Sequence, residues 1–197
     1  LKSNKNSKKE DTFETKQYTH VELIQMVDGA DFDAGTKIAG NRGYFLTVPC
    51  VFLAQALQNL SMKILNENSY KAVQPPFFMS ANIMKDVAQL SQFDEELYKI
   101  GKSNEINTTD NNKNKTNNKN NAEDNTKYLI ATSEQHLTAL HMGELISPKK
   151  LPIKYAGISS CFRKEAGRHG KDTLGIFRVH QFDKVEQFII CSPDNGE

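Results

Sequence analysis

Apolar positions follow two different periods along this chain. Between Pro49 and Asn66 they are dense and helical. Val51, Phe52, Leu53, Ala56, Leu57, Leu60, Ile64 and Leu65 form a wide apolar stripe, as in a helix that buries a broad face. Proline suits the first turn of such a helix. Charge is nearly absent until Lys63. The pattern therefore admits burial of more than one face, either against a second copy of the chain or as a central core helix. Later the period shortens to two. Ile153–Arg163 and Ile176–Cys191 alternate and are rich in small and β-branched residues, which predicts two long strands. Glycines at 167, 170 and 175 mark their connection as a mobile loop. Shorter strands are predicted at Tyr70–Gln74, stopped by Pro75-Pro76, and at Tyr128–Ala131. Ser80 is an N-cap for a helix through about Leu90, and a second helix runs from Ser133 to about Leu145. Two long antiparallel strands beside helices define an α+β class rather than a βαβ repeat.

Two segments lack apolar periodicity. Residues 1–19 are rich in Lys, Asn and Ser and are expected to be a disordered lead-in. Residues 101–126 are dominated by Asn and cannot bury enough apolar surface to offset ordering. Strand-like sequence on either side, Glu96–Ile100 and Lys127–Ile130, makes this stretch a loop insertion inside one domain, 20–197. Loop closure cost grows slowly with length, so the insertion is tolerable.

Composition narrows the chemistry. The 197 residues suffice for one domain, and the formal net charge of +1 gives no global basic field for nucleic acid. No apolar run reaches membrane-spanning length, so no membrane partner is expected. Cys50, Cys161 and Cys191 are odd in number and far apart, which fits reduced thiols better than a disulfide framework. The five histidines show no paired-ligand spacing with them, so no metal site is assigned. His169 and His180 are available bases, but no Ser-His-Asp or Cys-His arrangement is defensible. Neither a Gly-x-Gly-x-x-Gly turn nor a Walker loop is present, which disfavours the parallel nucleotide-binding folds.

The two long strands carry the informative side chains. Residues of one parity share a face of a strand. Arg178, Phe182 and Glu186 are four apart and fall on one face, with roughly 13 Å between successive members. Arg163 and Glu165 share a face of the partner strand. Guanidinium forks suit phosphate oxygens, a ring offers a plane to a nucleobase, and carboxylates accept from amino groups. The same residues also suit cross-strand ion pairs on a solvated face. Spacing alone leaves both readings open. Thr132-Ser133-Glu134 adds hydroxyls and a carboxylate where a strand meets a helix.

The pattern Phe162-Arg163-Lys164-Glu165, loop, Arg178, Phe182, Glu186 resembles motif 2 of the class II aminoacyl-tRNA synthetases. Tyr70 to Met79, with Pro76, resembles motif 1 preceded by its long helix. Val27-Asp28-Gly29, Ala39 to Leu46, Ala88 to Phe93, Ala131 to Gln135 and Pro152 to Gly157 are similar to the cytosolic-type seryl subfamily. The resemblance implies an antiparallel class II sheet flanked by helices, here truncated, in a cytoplasmic homodimeric enzyme. It implies activation of L-serine with ATP and Mg2+, followed by transfer to tRNA(Ser). It assigns Arg163, the catalytic residue, to the α-phosphate and the serine carboxylate, with Lys164 in the same ATP site. Glu165 would meet the adenine amino group, Phe182 would stack on the base beside Val179, and Arg178 would reach the terminal phosphates. Thr132, Ser133, Glu134 and Glu186 would hold serine, and Pro76 would lie at the dimer interface.

The chain starts without methionine and stops shortly after motif 2, so it is expected to be a piece of a longer protein and inactive alone. Motif 3, the magnesium ligands and the tRNA-binding arm would then lie outside it. A synthetase-like binding or regulatory module, or a class II enzyme activating another amino acid, is the alternative.

Overall fold

The structure, a computed structural model, describes residues 17–88, 93–101, 126–165 and 174–195. The lead-in before residue 17, most of the Asn-rich insertion and the centre of the 162–181 connection, with His169, lie outside the described residues. Helix α1 (His20–Met26) starts from a capping box in which the Thr19 hydroxyl accepts from Glu22 N and the Glu22 carboxylate accepts from Thr19 N. A short antiparallel pair, β1 (Ala30–Asp31) with β2 (Phe45–Leu46), brackets helix α2 (Phe32–Ala39). Asp31 caps α2 by accepting from Ala34 N at 2.8 Å, and Gly40 ends it at φ +82°.

The predicted apolar helix is α3 (Cys50–Glu67). None of its residues is buried, and Phe52, Leu53, Leu57, Leu60 and Ile64 are all about half exposed or more. The central-core reading of this helix is therefore corrected. It lies on one side of the long strands, where Gln58 Nε2 donates to Asp183 Oδ2 at 2.9 Å.

The main sheet contains β7 (Ile153–Phe162) and β8 (Gln181–Ile190), antiparallel over ten residue pairs, with β3 (Lys71–Val73) joined to β7 in parallel. A second sheet has the order β4 (Phe78–Ser80), β6 (Lys127–Leu129), β5 (Lys99–Ile100). Ile100 pairs with Lys127, so the two ends of the Asn-rich segment sit side by side. Helices α4 (Ala81–Val87), α5 (Phe93–Glu96) and α6 (Glu134–Ala139) complete the fold. Met79, Met84, Leu97, Tyr128 and Ile130 form the core beneath the small sheet. Main-chain bonds tie that core to the large sheet: Phe162 N donates to Ile130 O at 2.8 Å and Lys164 N donates to Glu96 O at 2.9 Å.

Several boundaries differ from the sequence reading. The long second strand begins at Gln181, because residues 174–180 turn around Gly175 at φ +71°. Helix α6 ends at Ala139. The chain then turns through Gly143 at φ +74°, with His141 held between Glu144 and the Tyr155 hydroxyl, each at 2.7 Å. Glu96 belongs to a helical turn, not to a strand. Ser80 sits at the start of α4 but makes no side-chain cap.

Candidate active site

The register of the long hairpin decides which side chains meet. Cys161 is opposite Phe182, Ser159 opposite Lys184 and Gly157 opposite Glu186. Directly opposed residues share a face, and the ladder continues one step as Arg163 N donates to His180 O at 2.9 Å. Arg163, Phe182, Lys184 and Glu186 thus line one face, beneath the start of α6. The expected coincidence of faces holds for these residues. It does not hold for Arg178, which precedes the strand and reaches the site from the turn.

At one end of this face, four side chains converge. The Thr132 hydroxyl donates to the Glu186 carboxylate, whose oxygens lie at 2.9 and 3.0 Å, and Ser133 Oγ donates to Glu186 Oε1. Glu134 N also donates to Glu186 Oε1, at 2.8 Å. Ser133 occupies the N-cap position of α6 but does not cap it with its side chain. The helix start is instead satisfied from the sheet, by the Glu186 carboxylate, which complements the positive end of a helix. The Glu134 side chain is exposed. Lys184 Nζ donates to Thr132 Oγ1 at 2.9 Å and ion-pairs with Glu186 Oε2.

Burial pushes the Glu186 carboxyl up, but hydrogen bonds from Lys184, Ser133 and Thr132, together with the Lys184 charge, outweigh it. The net effect holds the carboxyl below its ordinary value. Cys161, behind this cluster, is fully buried, and burial pushes its thiol up.

The middle and far end of the face carry the other predicted residues. The Arg163 guanidinium stands 5.1 Å from the centroid of the Phe182 ring and donates to Ala131 O at 3.4 Å. Glu165 has φ +51°, and its carboxylate lies 3.5 Å from Arg178 Nη1. Oε2, the oxygen in that pair, is buried and accepts no hydrogen bond among the described residues. Arg42, from the loop between α2 and β2, donates to the Glu165 carbonyl at 2.9 Å. Val179 is buried, and the Lys164 main chain is tied to Glu96. His180 Nδ1 is 3.0 Å from the Arg163 carbonyl and 2.9 Å from the Tyr98 hydroxyl, so it holds the main chain. Pro76 lies apart, exposed, on the rim of an apolar groove of about 460 Å³ with Val73, Pro75, Phe78 and Ile83.

Sequence reasoning missed Lys184, Arg42 and Gly157. Lys184 was detectable, since it shares parity with Phe182 and Glu186. Arg42 was not, because its contact joins residues far apart in the chain. Among the described residues, no group of three or more His, Cys, Asp or Glu side chains could hold a metal ion.

The antiparallel hairpin carries an Arg–aromatic pair and a Glu–Arg pair and is roofed by a helix start, in line with the resemblance to motif 2. Residues 113–197 match the family model for the tRNA synthetase class II core domain (G, H, P, S and T). Over that segment the chain is similar to the class II tRNA synthetases. Within that class it is similar to the cytoplasmic serine--tRNA ligases. It is 52% identical over 186 residues to that of Danio rerio and 51% identical to that of Homo sapiens, covering 92% of this chain in each case. It spans about a third (33%) of the length of these relatives.

The fold is shared with solved structures. The cytoplasmic serine-tRNA ligase of Naegleria fowleri, in complex with AMP, superposes with a TM-score of 0.76 at 45% identity, over 90% of this chain and 37% of the other. The seryl-tRNA synthetase of Pyrococcus horikoshii, complexed with ATP, superposes with a TM-score of 0.72 at 37% identity, over 89% of this chain and 34% of the other.

Proposed function

We propose that the protein carrying this chain is a serine--tRNA ligase, which activates L-serine with ATP to seryl-adenylate and transfers the seryl group to tRNA(Ser). The observation that carries this reading is one strand face. With the residues that meet it, this face offers an amine-accepting cluster at Thr132 and Glu186, a cation at Arg163, and a ring and a carboxylate at Phe182 and Glu165. Together these groups suit an amino acid joined through a phosphate to a nucleoside.

The serine ammonium is received by Thr132 and Glu134, and Glu186, held in place by Ser133, meets the amino or hydroxyl end of serine. Arg163 turns from the Phe182 ring to the α-phosphate and aligns the serine carboxylate for attack on it. Uncovered, Phe182 stacks on adenine beside Val179. Glu165 Oε2, buried and held by a long ion pair with Arg178, accepts from the adenine amino group. Arg178 extends toward the terminal phosphates, with Lys164 near the same groups. Serine's carboxylate oxygen bonds to the α-phosphorus as pyrophosphate leaves, and the protein acts mainly by positioning and by stabilising spreading charge.

Magnesium is expected to accompany ATP. The described residues supply no ligand cluster for it, and every step above runs through protein side chains. A homodimer formed through the exposed apolar stripe of α3 and the motif 1 strand with Pro76 completes the reading. The cytoplasm is the compartment its relatives' names give. The domain comprises 20–197 with an insertion at 101–126, preceded by a linker.

ATP–pyrophosphate exchange tests this, using protein expressed from its complete coding sequence, with serine, threonine and alanine in turn. Serine should support exchange. Alanine should fail by roughly 10⁴-fold, because a site built to bond a hydroxyl rejects the analogue without one. Equal rates with serine and alanine would defeat the serine assignment. Arg163→Ala should abolish most exchange while the circular dichroism spectrum stays unchanged, and near-normal exchange would remove Arg163 from the phosphate role.

A further inference from the structure

We propose that Lys184 is a positioning residue of the amino-acid pocket, holding the Thr132 hydroxyl and the Glu186 carboxylate in place where the Glu134 and Glu186 carboxylates meet the substrate ammonium. The inference rests on the serine-activation reading above and extends it to a residue outside the motif 2 pattern.

The argument begins with valence. A threonine hydroxyl has one proton and two lone pairs. Thr132 gives its proton to Glu186, so its lone pairs must be filled by donors. Two are present: Glu134 N at 3.2 Å and Lys184 Nζ at 2.9 Å. The backbone donor is fixed by the start of α6, while the ammonium arrives from β8. Lys184 is therefore a second tie, beside the Thr132–Glu186 hydrogen bond, between the hydroxyl on the helix side and the sheet. The same ammonium pairs with Glu186 Oε2, leaving Oε1 to Ser133, Thr132 and Glu134 N. Lys184 and Glu186 are two residues apart on β8, opposite Ser159 and Gly157 in register.

Charge points the same way. Glu186 and Glu134 place two carboxylates at one pocket. Lys184 leaves a net single negative charge there, which matches one incoming ammonium. Without it, Glu186, with only 13% of its side chain exposed, would keep its burial cost and lose its countercharge. An ammonium serves both acceptors and also supplies the countercharge, which neither methionine nor glutamine does.

The test is steady-state ATP–pyrophosphate exchange on protein from the complete coding sequence, comparing the unaltered enzyme with Lys184→Met, Lys184→Gln and Lys184→Arg. Lys184→Met should raise the KM for serine by about ten-fold, the size expected for losing a hydrogen bond to a charged group, with the KM for ATP within two-fold of the unaltered value. Lys184→Arg, which keeps charge and donors, should recover most of that loss. An unchanged or lowered KM for serine, a parallel rise in both KM values, or an arginine variant no better than methionine would overturn the proposal. If Lys184→Met does not fold, Lys184→Gln carries the same comparison. Absence of serine-dependent exchange in the unaltered protein would instead defeat the serine-ligase reading itself.

Discussion

Gly157→Ala isolates how tightly the start of α6 sits on the sheet. Gly157 lies in the middle of β7, opposite Glu186. A Cβ built there would meet Leu137 Cδ1 at 3.1 Å and Ser133 Cβ at 3.2 Å, with Ser133 Oγ closer still. Ser133 is 0% exposed and Leu137 1%, so neither can swing into solvent. The added methyl must lift the helix start or bend β7. Overpacking of this kind costs about 1–3 kcal/mol. Removing a glycine from extended backbone returns roughly 0.5 kcal/mol through the unfolded state. Displacing Ser133 also weakens its donation to the Glu186 carboxylate, a charged hydrogen bond of about 1.5–3 kcal/mol when fully lost. The steric terms therefore win, and a net destabilisation of about 2–4 kcal/mol is expected.

Urea denaturation measures this as a lowered midpoint with an unchanged slope. Gly143→Ala is the control. It has open space around its Cβ but φ +74°, so it should lose only about 1–2 kcal/mol through backbone strain. If Gly157→Ala is as stable as the unaltered protein, or loses no more than the control, the close seat of Ser133 is not what requires glycine there.

Three further outcomes follow from the same geometry. Glu186 is held below its ordinary 4.5, so its contribution to stability is present above that value and lost as pH falls through the lower folded one. The gap in urea midpoint between the unaltered protein and Glu186→Gln should thus be wide at pH 7 and shrink below about pH 4.5; a gap independent of pH would contradict the assignment. Cys191 is exposed whereas Cys161 is buried with its thiol pushed up by burial. A thiol reagent at pH 7 should therefore label Cys191 promptly and Cys161 only on unfolding, and a Cys161 adduct in the native protein, located by peptide mass, would refute this. Arg42→Ala removes the donor holding the Glu165 carbonyl. On the proposed serine-activation reading it should raise the KM for ATP several-fold, by about 1 kcal/mol, without moving that for serine, and an unchanged KM for ATP would exclude that role.

How much of this was legible depends on the range of the forces involved. The hairpin was readable because alternation reports a local period, and the pairing of β7 with β8 then brings Arg163, Phe182 and Glu186 together without further information. Arg178 was misplaced because a turn at Gly175 is decided by one positive φ, which alternation does not encode. The short α6 shows a tertiary override: apolar spacing continues past Ala139, but His141 is drawn to Tyr155 and Glu144. The α3 stripe was read correctly as apolar. Periodicity records that a face is greasy and not what covers it, so its exposure could come only from the fold. Arg42 and Gly157 act through contacts between distant segments, and nothing local to either announces them.

The two sequence readings of the strand face, a ligand site and a set of ion pairs, prove not to exclude each other. Both ion pairs exist, Glu165 with Arg178 and Glu186 with Lys184. What separates them from a solvated surface pair is burial: the two carboxylates keep only 10% and 13% of their side-chain exposure. An exposed pair such as Lys63 with Glu67, at 71% and 61%, costs little and contributes little. A buried pair carries a desolvation cost that its own attraction often fails to repay. The Glu165 pair is long at 3.5 Å, and the buried oxygen in it, Oε2, accepts no hydrogen bond among the described residues. Such a pair is poor value as a structural brace. It makes physical sense where a ligand supplies the missing donor, so that the cost carried by the free protein is recovered on binding.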